Sequence, residues 1–480
     1  MTELQPHTLW NYFHQITRIP RPSKKEEKIA AFLVVFAQHH HLAVKKDDTG
    51  NLLISKPATP GYENNPTVIL QAHIDMVCEK NADVAHNFET DAIQTYIEGD
   101  WVKAKGTTLG ADNGIGMAMM LAVLAADNLQ HPPLECLFTV DEETGLTGAF
   151  GLGKQLLTGD VLINLDSEDD GEIFIGCAGG IGTRALFAYE NEPAPAGYFG
   201  FRVMVSGLAG GHSGGDIHLG RGNAIKLLNR YLWQLNQKMD VRLASFEGGN
   251  LHNAIPREAT AFVAVPYAEK ETIRVMLNVY IATVEEEFKD IEPNLRINLE
   301  SDVLPDKVMR KTFSDRLLQM LYACPHGVIA MSRAIPDLVE TSTNLASVRM
   351  INARQIEINT SQRSSSETAK ADIATQLYAV FALAGAEIIQ SDGYPGWQPN
   401  VDSAILKKSE AAYQHLFGDA PQVKAIHAGL ECGLFLEKYP HLDMISIGPQ
   451  MLGVHSPDER LSIQSTQKTW KWLIETLKMC

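Results

Sequence analysis

Apolar residues recur along the chain at two spacings, one typical of an amphipathic helix and the other typical of a strand. Ile29, Leu33 and Phe36 follow the helical spacing and would lie on one helix face. Ser23 and Glu26 precede them in the order of a capping box, so we predict that this helix starts there.

Short apolar runs bounded by turn residues indicate buried strands between the helices. These runs occupy 52–54, 68–70, 134–140, 161–165 and 443–447. A helical stretch at 114–126 lies between two of them. Strands that are apolar on both faces and alternate with helices are typical of covered parallel sheets. We therefore predict an α/β fold, with a largely parallel sheet and helices on both faces.

The pattern changes near residue 187, where half-exposed strands replace covered ones. The segment 191–197 is rich in Pro and Ala and has the composition of a linker. Alternating apolar residues then predict a strand from Phe201 to Val205. A second Pro and Gly cluster covers 393–399, and the α/β pattern returns after it.

These changes predict two domains, one of which is discontinuous. Residues 1–186 and 398–480 would form the α/β domain, and residues 187–397 would form an inserted α+β domain. Similar segments at Asn250 and Asn344 suggest that the inserted domain contains a duplicated α+β unit.

Composition and charge narrow the class of protein. Of the 480 residues, 45% are hydrophobic and 21% are charged, which is typical of globular proteins and excludes disordered or fibrous ones. The net charge of −17 argues against nucleic acids and anionic membranes as partners, because phosphates are bound by Lys and Arg. No apolar stretch approaches the roughly 20 residues of a membrane span. With no signal-peptide pattern and six cysteines that form no C-x-x-C pair, we expect a cytoplasmic protein.

Acidic residues and histidines follow several of the predicted strands or lie in loops that face strand ends. They are His73, Asp75, Asp112, Glu142, Glu143, Asp166 and His455. Ligand sites in open α/β sheets form beyond the carboxyl ends of the strands. We therefore expect these side chains to converge.

Each of these residues alone has an ordinary explanation. An Asp at a strand end caps a helix or forms a turn, a lone His is a satisfied polar residue, and a Glu pair lies on the surface. Together, however, carboxylates in one cleft must take up protons or bind a cation. Two imidazoles with three or more carboxylates suit zinc, cobalt or manganese in a site for two metals. The sequence thus predicts a binuclear metal site.

The blocks around these residues resemble, in order, those of the co-catalytic zinc peptidase family, which includes aminoacylase, glutamate carboxypeptidase and the tripeptide aminopeptidase. The blocks are Gln71–Val77, Leu109–Gly116, Asp141–Gly145, Leu165–Asp169, Gly210–Asp216, His427–Gly433 and Gly448–Glu459. The resemblance spans the whole chain. It is strongest to those bacterial members that cleave Xaa-His dipeptides such as carnosine.

The resemblance implies two zinc ions per chain, with cobalt or manganese as substitutes. Asp112 would bridge the two ions. His73 and Asp166 would complete one site, and Glu143 and His455 would complete the other.

The resemblance also implies the catalytic groups. Glu142 would be the general base that takes a proton from a metal-bridging water, and Asp75 would orient His73. The inserted domain would be a lid whose His212 stabilises the oxyanion. Without the resemblance, His212 reads as a loop histidine bonded to local backbone.

Substrate contacts are implied at three further residues. Asn253 and Arg363 would hold the carboxylate end of the substrate, and the backbone of Gly429 would line the specificity pocket. The alternative for Arg363 is an ion pair with Glu367, and the alternative for Gly429 is an ordinary loop at a helix start.

Taken together, the resemblance implies a homodimeric metallo-dipeptidase for Xaa-His dipeptides, of which Gly-His is one. Asp rather than Glu at position 166 implies substrates with a free amino terminus. The alternative is a deacylase or a tripeptide aminopeptidase on the same scaffold. A non-catalytic binding protein is a third alternative, but such relatives lose the base or the ligands, which are present here.

Overall fold

The computed structural model describes Met1 and residues 3–480. The helices are α1 (His7–Ile16), α2 (Glu27–His39), α3 (Ala111–Ala125), α4 (Thr147–Gly151), α5 (Ala224–Asn236), α6 (Lys270–Phe288), α7 (Lys311–Ala323), α8 (Glu367–Leu383), α9 (Ala404–Phe417), α10 (Glu431–Lys438) and α11 (Ile463–Met479). Among the described residues, no helix combines the length and the apolar character needed to cross a membrane.

The strands alternate with these helices in the first and last parts of the chain and dominate the middle. They are β1 (Ala43–Lys46), β2 (Leu52–Lys56), β3 (Val68–His73), β4 (Thr95–Glu98), β5 (Trp101–Ala104), β6 (Leu134–Thr139), β7 (Val161–Asn164), β8 (Glu172–Cys177), β9 (Gly179–Ala188), β10 (Asn191–Pro193), β11 (Tyr198–Ser206), β12 (Arg242–Gly248), β13 (Ala259–Pro266), β14 (Arg296–Asp302), β15 (Lys307–Met309), β16 (Gly327–Met331), β17 (Val339–Asn352), β18 (Gln355–Ser364), β19 (Glu387–Gln390), β20 (Gln422–Ile426), β21 (Asp443–Ser446), β22 (Met451–Leu452) and β23 (Arg460–Ser462).

Backbone contacts divide the chain into two compact units. Unit 1 contains residues 1–177, 397–425 and 430–480, and unit 2 contains residues 178–396 and 426–429. The first boundary falls between β8 and β9, about ten residues before the change that the sequence pattern shows, because β9 already pairs with β18 and β19 of unit 2.

Unit 1 is built around a mixed sheet with the strand order β1-β2-β6-β3-β7-β21-β8-β20. The four central strands β6, β3, β7 and β21 run parallel to one another. Strands β3 and β6 are buried along their whole lengths, as apolar runs covered on both faces require. The prediction of an α/β fold with a largely parallel central sheet is confirmed.

A small second sheet in unit 1 has the order β22-β23-β5-β4. Strands β22 and β23 form an antiparallel pair, and His455 lies in the loop that joins them. This pairing fixes both ends of the loop that carries His455.

Unit 2 contains a large antiparallel sheet with the order β14-β11-β13-β12-β17-β18-β9-β19, and β16 pairs with β17. The alternating residues Phe201, Val203 and Val205 of β11 are buried and belong to the core of this unit. Asn250 lies between β12 and β13, whereas Asn344 lies inside β17. The two segments that suggested a duplication thus occupy different positions, and the duplication stays a prediction.

The predicted capping box at the start of α2 is wrong. The helix begins at Glu27, and its N-cap residue Glu26 makes no side-chain cap bond. The Ser23 hydroxyl donates instead to Asp75 Oδ2 at 2.7 Å, and Glu26 Oε1 accepts from the amide of Asp141 at 3.1 Å. Tertiary partners have replaced the local cap.

Candidate functional site

Three of the predicted site segments emerge from neighbouring parallel strands of unit 1. His73 is the last residue of β3, Asp166 comes two residues after β7, and Glu142 comes three residues after β6. Since β3 pairs with both β6 and β7 in parallel register, these segments leave the same edge of the sheet. The topology therefore brings together residues that are distant in sequence.

Asp112 lies at the centre of the resulting cluster. Its Oδ1 is 2.9 Å from His73 Nε2, and its Oδ2 is 3.1 Å from His455 Nε2. Asp112 is in the first turn of α3, a helix that is buried along nearly its whole length. One carboxylate thus presents a separate oxygen to each of two imidazoles.

Each imidazole also faces a second carboxylate. His73 Nε2 is 3.3 Å from Asp166 Oδ1, and His455 Nε2 is 3.1 Å from Glu143 Oε2. His73 is 1% exposed, whereas the side chain of His455 is 52% exposed. The cluster consequently has one buried half and one half that solvent can reach.

Asp75 contacts the ring nitrogen of His73 that does not face Asp112. Its Oδ1 lies 3.2 Å from His73 Nδ1, and its two oxygens accept from the amides of Glu142 and Glu143 at 3.0 and 3.2 Å. A hydrogen bond from Nδ1–H to a carboxylate leaves Nε2 of the neutral imidazole free to act as a ligand. Asp75 therefore fixes both the tautomer of His73 and the start of the loop that carries the two glutamates.

The electrostatic surroundings favour positive charge at both imidazole positions. Burial alone would lower the pKa of His73, but Asp166 and Asp112 raise it well above its usual value. Hydrogen bonds to Asp112 and Glu143 raise the pKa of His455 to about 11. A proton or a metal ion at each position would supply this charge.

The pKa values of the carboxyl groups in this cluster shift in opposite directions. Burial raises the pKa of Glu142 well above its usual value, and it also raises the pKa of Glu143 and of Asp166. Asp112 is buried as well, but its hydrogen bonds to the two imidazoles hold its pKa below the usual value. The crowded carboxylates need a cation nearby to remain ionised together.

The donor atoms of this cluster fit a divalent metal ion. His73, Asp112 and Asp166 have ligand atoms within 4.8 Å of one another, and so do Asp112, Glu143 and His455. Glu143 Oε1 is buried and has no hydrogen-bond partner within the described part of the chain. Imidazole nitrogens and carboxylate oxygens are the ligands that zinc takes in catalytic sites.

Two buried residues that sequence reasoning did not assign hold the loop before Asp112. Glu459 accepts from the amides of Leu109, Gly110 and Ala111 at 2.6, 3.0 and 2.7 Å. Arg21 donates to the carbonyl oxygens of Ile74, Asp75 and Gly110. Glu459 lies four residues after His455, inside a block that the sequence had singled out, but only the fold shows what it binds.

Glu431 is a third buried group that sequence reasoning did not assign. Its Oε2 accepts from Gln71 Nε2 at 2.6 Å and from Thr139 Oγ1 at 2.8 Å, and burial raises its pKa to about 8. Gln71 lies two residues before His73, and Thr139 ends β6. Glu431 therefore connects the strand that ends at His73 to the strand that precedes Glu142.

The predicted residues of unit 2 form a separate cluster. Arg363 lies in β18, is 7% exposed, and places Nη2 at 3.4 Å from His212 Nε2. Glu367 pairs with Lys370 at 2.8 Å, and Arg363 forms an ion pair with no carboxylate of the described residues. The alternative in which Glu367 neutralises Arg363 is therefore wrong.

His212, Asn253 and Gly429 also lie in unit 2. His212 Nδ1 accepts from the amide of Gly215 at 3.0 Å, which leaves Nε2 directed at Arg363. The carbonyl of Asn253 accepts from the amide of Ser213 at 2.8 Å, so the loop that carries Asn253 is bonded to the loop of His212. Gly429 lies just before α10 and belongs to unit 2 by its contacts.

Comparison with known proteins agrees with this arrangement. The family model described as Peptidase family M20/M25/M40 matches residues 69–479. The cytosol non-specific dipeptidase of Escherichia coli (strain K12) is 46% identical over 478 residues, which cover 100% of this chain and 98% of that protein.

Solved structures give the same result. The crystal structure of aminoacylhistidine dipeptidase from Vibrio alginolyticus has a TM-score of 0.93 and 45% identity, covering 99% of this chain and 97% of that chain. A tripeptidase from Staphylococcus aureus shares the fold, with a TM-score of 0.58 and 16% identity over 99% of this chain and 98% of that one. The family resemblance read from the sequence is confirmed. The chain belongs to peptidase family M20/M25/M40 and is a hydrolase of peptide bonds.

Proposed function

We propose that this peptidase is a metal-dependent dipeptidase that hydrolyses Xaa-His dipeptides. The observation that carries the proposal is the position of Asp112, whose two carboxylate oxygens each face a different histidine. A shared carboxylate between two sets of nitrogen and oxygen ligands is what a two-metal hydrolase requires.

The proposed ligands divide into two sets that share Asp112. His73 and Asp166 complete one set, and Glu143 and His455 complete the other. Zinc suits these donors, and cobalt or manganese would substitute for it. When bound, two such ions act as Lewis acids on the scissile carbonyl and stabilise the charge that develops there.

Glu142 is the proposed general base. It lies next to the proposed ligand Glu143, and its carboxylate is within 4.8 Å of ligand atoms of His73 and Glu143. It would take the proton of the attacking water and pass that proton to the departing amine. Asp75 would keep His73 and the loop of Glu142 in place through its hydrogen bonds.

Unit 2 would supply the groups that bind the substrate. The buried guanidinium of Arg363 lacks a carboxylate partner among the described residues, and a buried charge of this kind requires a counter-ion. The free carboxylate of a dipeptide would be that counter-ion, with Asn253 and the Gly429 backbone as further contacts. His212 would stabilise the oxyanion.

The substrate class is supported by the relatives at 45–46% identity, one named a non-specific dipeptidase and the other an aminoacylhistidine dipeptidase. A deacylase or a tripeptide aminopeptidase is the second candidate, but the tripeptidase from Staphylococcus aureus has 16% identity and supports the fold alone. We also propose a cytoplasmic location, which the name of the Escherichia coli relative supports, and a homodimer.

A substrate panel with metal removal tests the proposal. Purified protein is assayed with carnosine, Gly-His, Gly-Leu, an acetylated amino acid and a tripeptide, before chelation, after chelation, and after return of zinc. We expect the Xaa-His dipeptides to be hydrolysed fastest, with loss of activity on chelation and recovery with zinc. If the protein prefers the acetylated amino acid or the tripeptide, it is a deacylase or a tripeptide aminopeptidase and not a dipeptidase. If chelation leaves the activity unchanged, a metal mechanism is excluded.

A further inference from the structure

The hydroxyl of Tyr394 is hydrogen-bonded to Arg363 within unit 2. Arg363 Nη1 donates to the Tyr394 hydroxyl at 2.7 Å. The second Arg363 nitrogen, Nη2, lies 3.4 Å from His212 Nε2, and Nε is buried without a hydrogen-bond partner in the described residues. Tyr394 thus fixes the Nη1 side of the guanidinium, while Nε has no hydrogen-bond partner among the described residues.

The backbone of Tyr394 is fixed by three hydrogen bonds. Its amide donates to Gly180 O at 2.9 Å, and its carbonyl accepts from Gly180 N at 3.0 Å and from Lys370 Nζ at 2.7 Å. Lys370 is itself 8% exposed and paired with Glu367. The segment that the sequence shows only as a Pro and Gly cluster at 393–399 therefore has a defined position.

The ring of Tyr394 occupies space that two glycines leave open. A Cβ atom at Gly180 would lie 2.7 Å from the ring, and one at Gly429 would lie 2.8 Å from Cε2. Gly180 is the residue of β9 that pairs with Arg363 of β18, so the absence of a side chain there lets the phenol reach the guanidinium. Gly429 thus has a second reason to be glycine beyond the proposed backbone contact with substrate.

Gly180, Arg363 and Tyr394 line one cavity of about 450 Å³ in unit 2. Arg363, Tyr394 and His252 contribute to its wall together with residues of β9 and β18. Arg363 is a buried guanidinium without a carboxylate partner among the described residues, and such a group in a cavity wall suits an anionic ligand. A planar carboxylate matches two nitrogen donors of the guanidinium.

We propose that Tyr394 is a positioning residue that orients Arg363 to recognise the free carboxylate of the dipeptide. The proposal rests on the proposed function of Arg363. Tyr394 need not touch the substrate, because it acts by fixing Nη1 so that Nε and Nη2 face the carboxylate. Substrates without a free carboxylate should therefore be insensitive to Tyr394.

The test compares Gly-His with its C-terminal amide in Tyr394→Phe, which keeps the ring and removes the hydroxyl. We expect KM for Gly-His to rise about tenfold, because hydrogen bonds to charged groups have roughly this effect. KM for the amide and kcat for both substrates should stay within twofold. Tyr378→Phe, an exposed tyrosine of α8, is the matched control and should behave as wild type.

Two further variants make the outcome decisive. Arg363→Lys should remove the preference for the free acid over the amide. The double variant Arg363→Lys/Tyr394→Phe should show no further rise in KM for Gly-His, because both residues act through one contact. Gly429→Ala, which places a methyl group against the ring, should reproduce the selective rise in KM even if Tyr394→Phe folds poorly.

The experiment distinguishes failure of the proposed function from failure of the roles proposed for Arg363 and Tyr394. If wild type does not hydrolyse Gly-His, the proposed function is wrong. If wild type hydrolyses it and Arg363→Lys retains the preference for the free acid, the role of Arg363 is wrong. An unchanged KM in folded Tyr394→Phe, or an equal rise for acid and amide, would overturn the positioning role alone.

Discussion

Two adjacent glutamates in this molecule have different proposed roles because they have different neighbours. Glu142 and Glu143 are adjacent in sequence, yet Glu143 Oε2 lies 3.1 Å from His455 Nε2, whereas Glu142 forms no ion pair with a histidine among the described residues. The backbone turns at these residues, where the carbonyl of Glu142 accepts from the amide of Leu146 at 3.0 Å. Their different neighbours let two identical groups do different work. One is proposed as a ligand and the other as the base.

Replacing Glu142 by Gln should therefore separate chemistry from metal binding. We expect turnover to fall by a factor of about 10² to 10⁴, the usual contribution of a general base, because the amide cannot accept the proton. Metal content should remain at the wild-type level, since Glu142 is not among the proposed ligands. Atomic absorption of the purified variant and steady-state kinetics with Gly-His measure the two quantities.

Glu143→Gln and Asp112→Asn are the matched variants for that experiment. Both should lose metal as well as activity, because each removes a charged ligand. Near wild-type turnover in Glu142→Gln would show that another group is the base.

At the scale of elements, the positions of the buried strands could be predicted better than the ends of the helices. The buried runs at 68–70, 134–140 and 161–165 appear as β3, β6 and β7, because covered strands leave a strong apolar signal. The start of α2 was predicted wrongly, because Ser23 bonds Asp75 of another segment. Local capping patterns compete with tertiary partners, and a sequence does not show which partner is present.

The start of α3 depends on a carboxylate from a distant loop. Glu459 accepts three backbone amides at residues 109–111, next to the proposed bridging ligand Asp112. We expect Glu459→Gln to weaken zinc binding 10- to 100-fold, as the loss of a group that orients a ligand usually does. Competition with a fluorescent chelator measures the affinity.

Asp458→Asn is the control for this prediction, because Asp458 is exposed and adjacent in sequence. Its zinc affinity should match that of wild type. Equal affinity in Glu459→Gln and wild type would mean that the loop before Asp112 keeps its position without the carboxylate.

At the scale of the whole molecule, His326, a partly buried histidine of unit 2, should couple stability to pH. His326 Nδ1 accepts from Asn223 Nδ2 and from the amide of Leu345, each at 3.3 Å, so the ring is held neutral at that nitrogen. Burial lowers the pKa of His326 to about 4, whereas an unfolded histidine titrates near 6.5. Below pH 6.5 the unfolded chain binds the proton and the folded chain does not, so stability falls as the pH decreases towards 4.

His326→Gln should therefore be less stable than wild type at pH 7 but less sensitive to acid. The difference in the free energy of unfolding between the two proteins should shrink by about 1.6 kcal/mol between pH 6.5 and pH 5, because the slope approaches about 1.4 kcal/mol per pH unit only below the unfolded pKa. Urea titrations at both pH values measure it, with His415→Gln at an exposed site of α9 as the control. A constant difference would show that His326 titrates alike in both states.

The sequence by itself determined the α/β pattern, the family, and the identity of the residues that form the candidate metal cluster. It could do so because covered strands leave continuous apolar runs, and because the blocks around His73, Asp112 and His455 are local in sequence. Only the tertiary structure decided which atoms face one another. Asp112 divides its oxygens between two histidines, Glu459 and Arg21 hold the loop before it, and Tyr394 fixes Arg363. Such contacts join residues far apart in the chain, and their geometry depends on strand register and close packing, which no local pattern encodes.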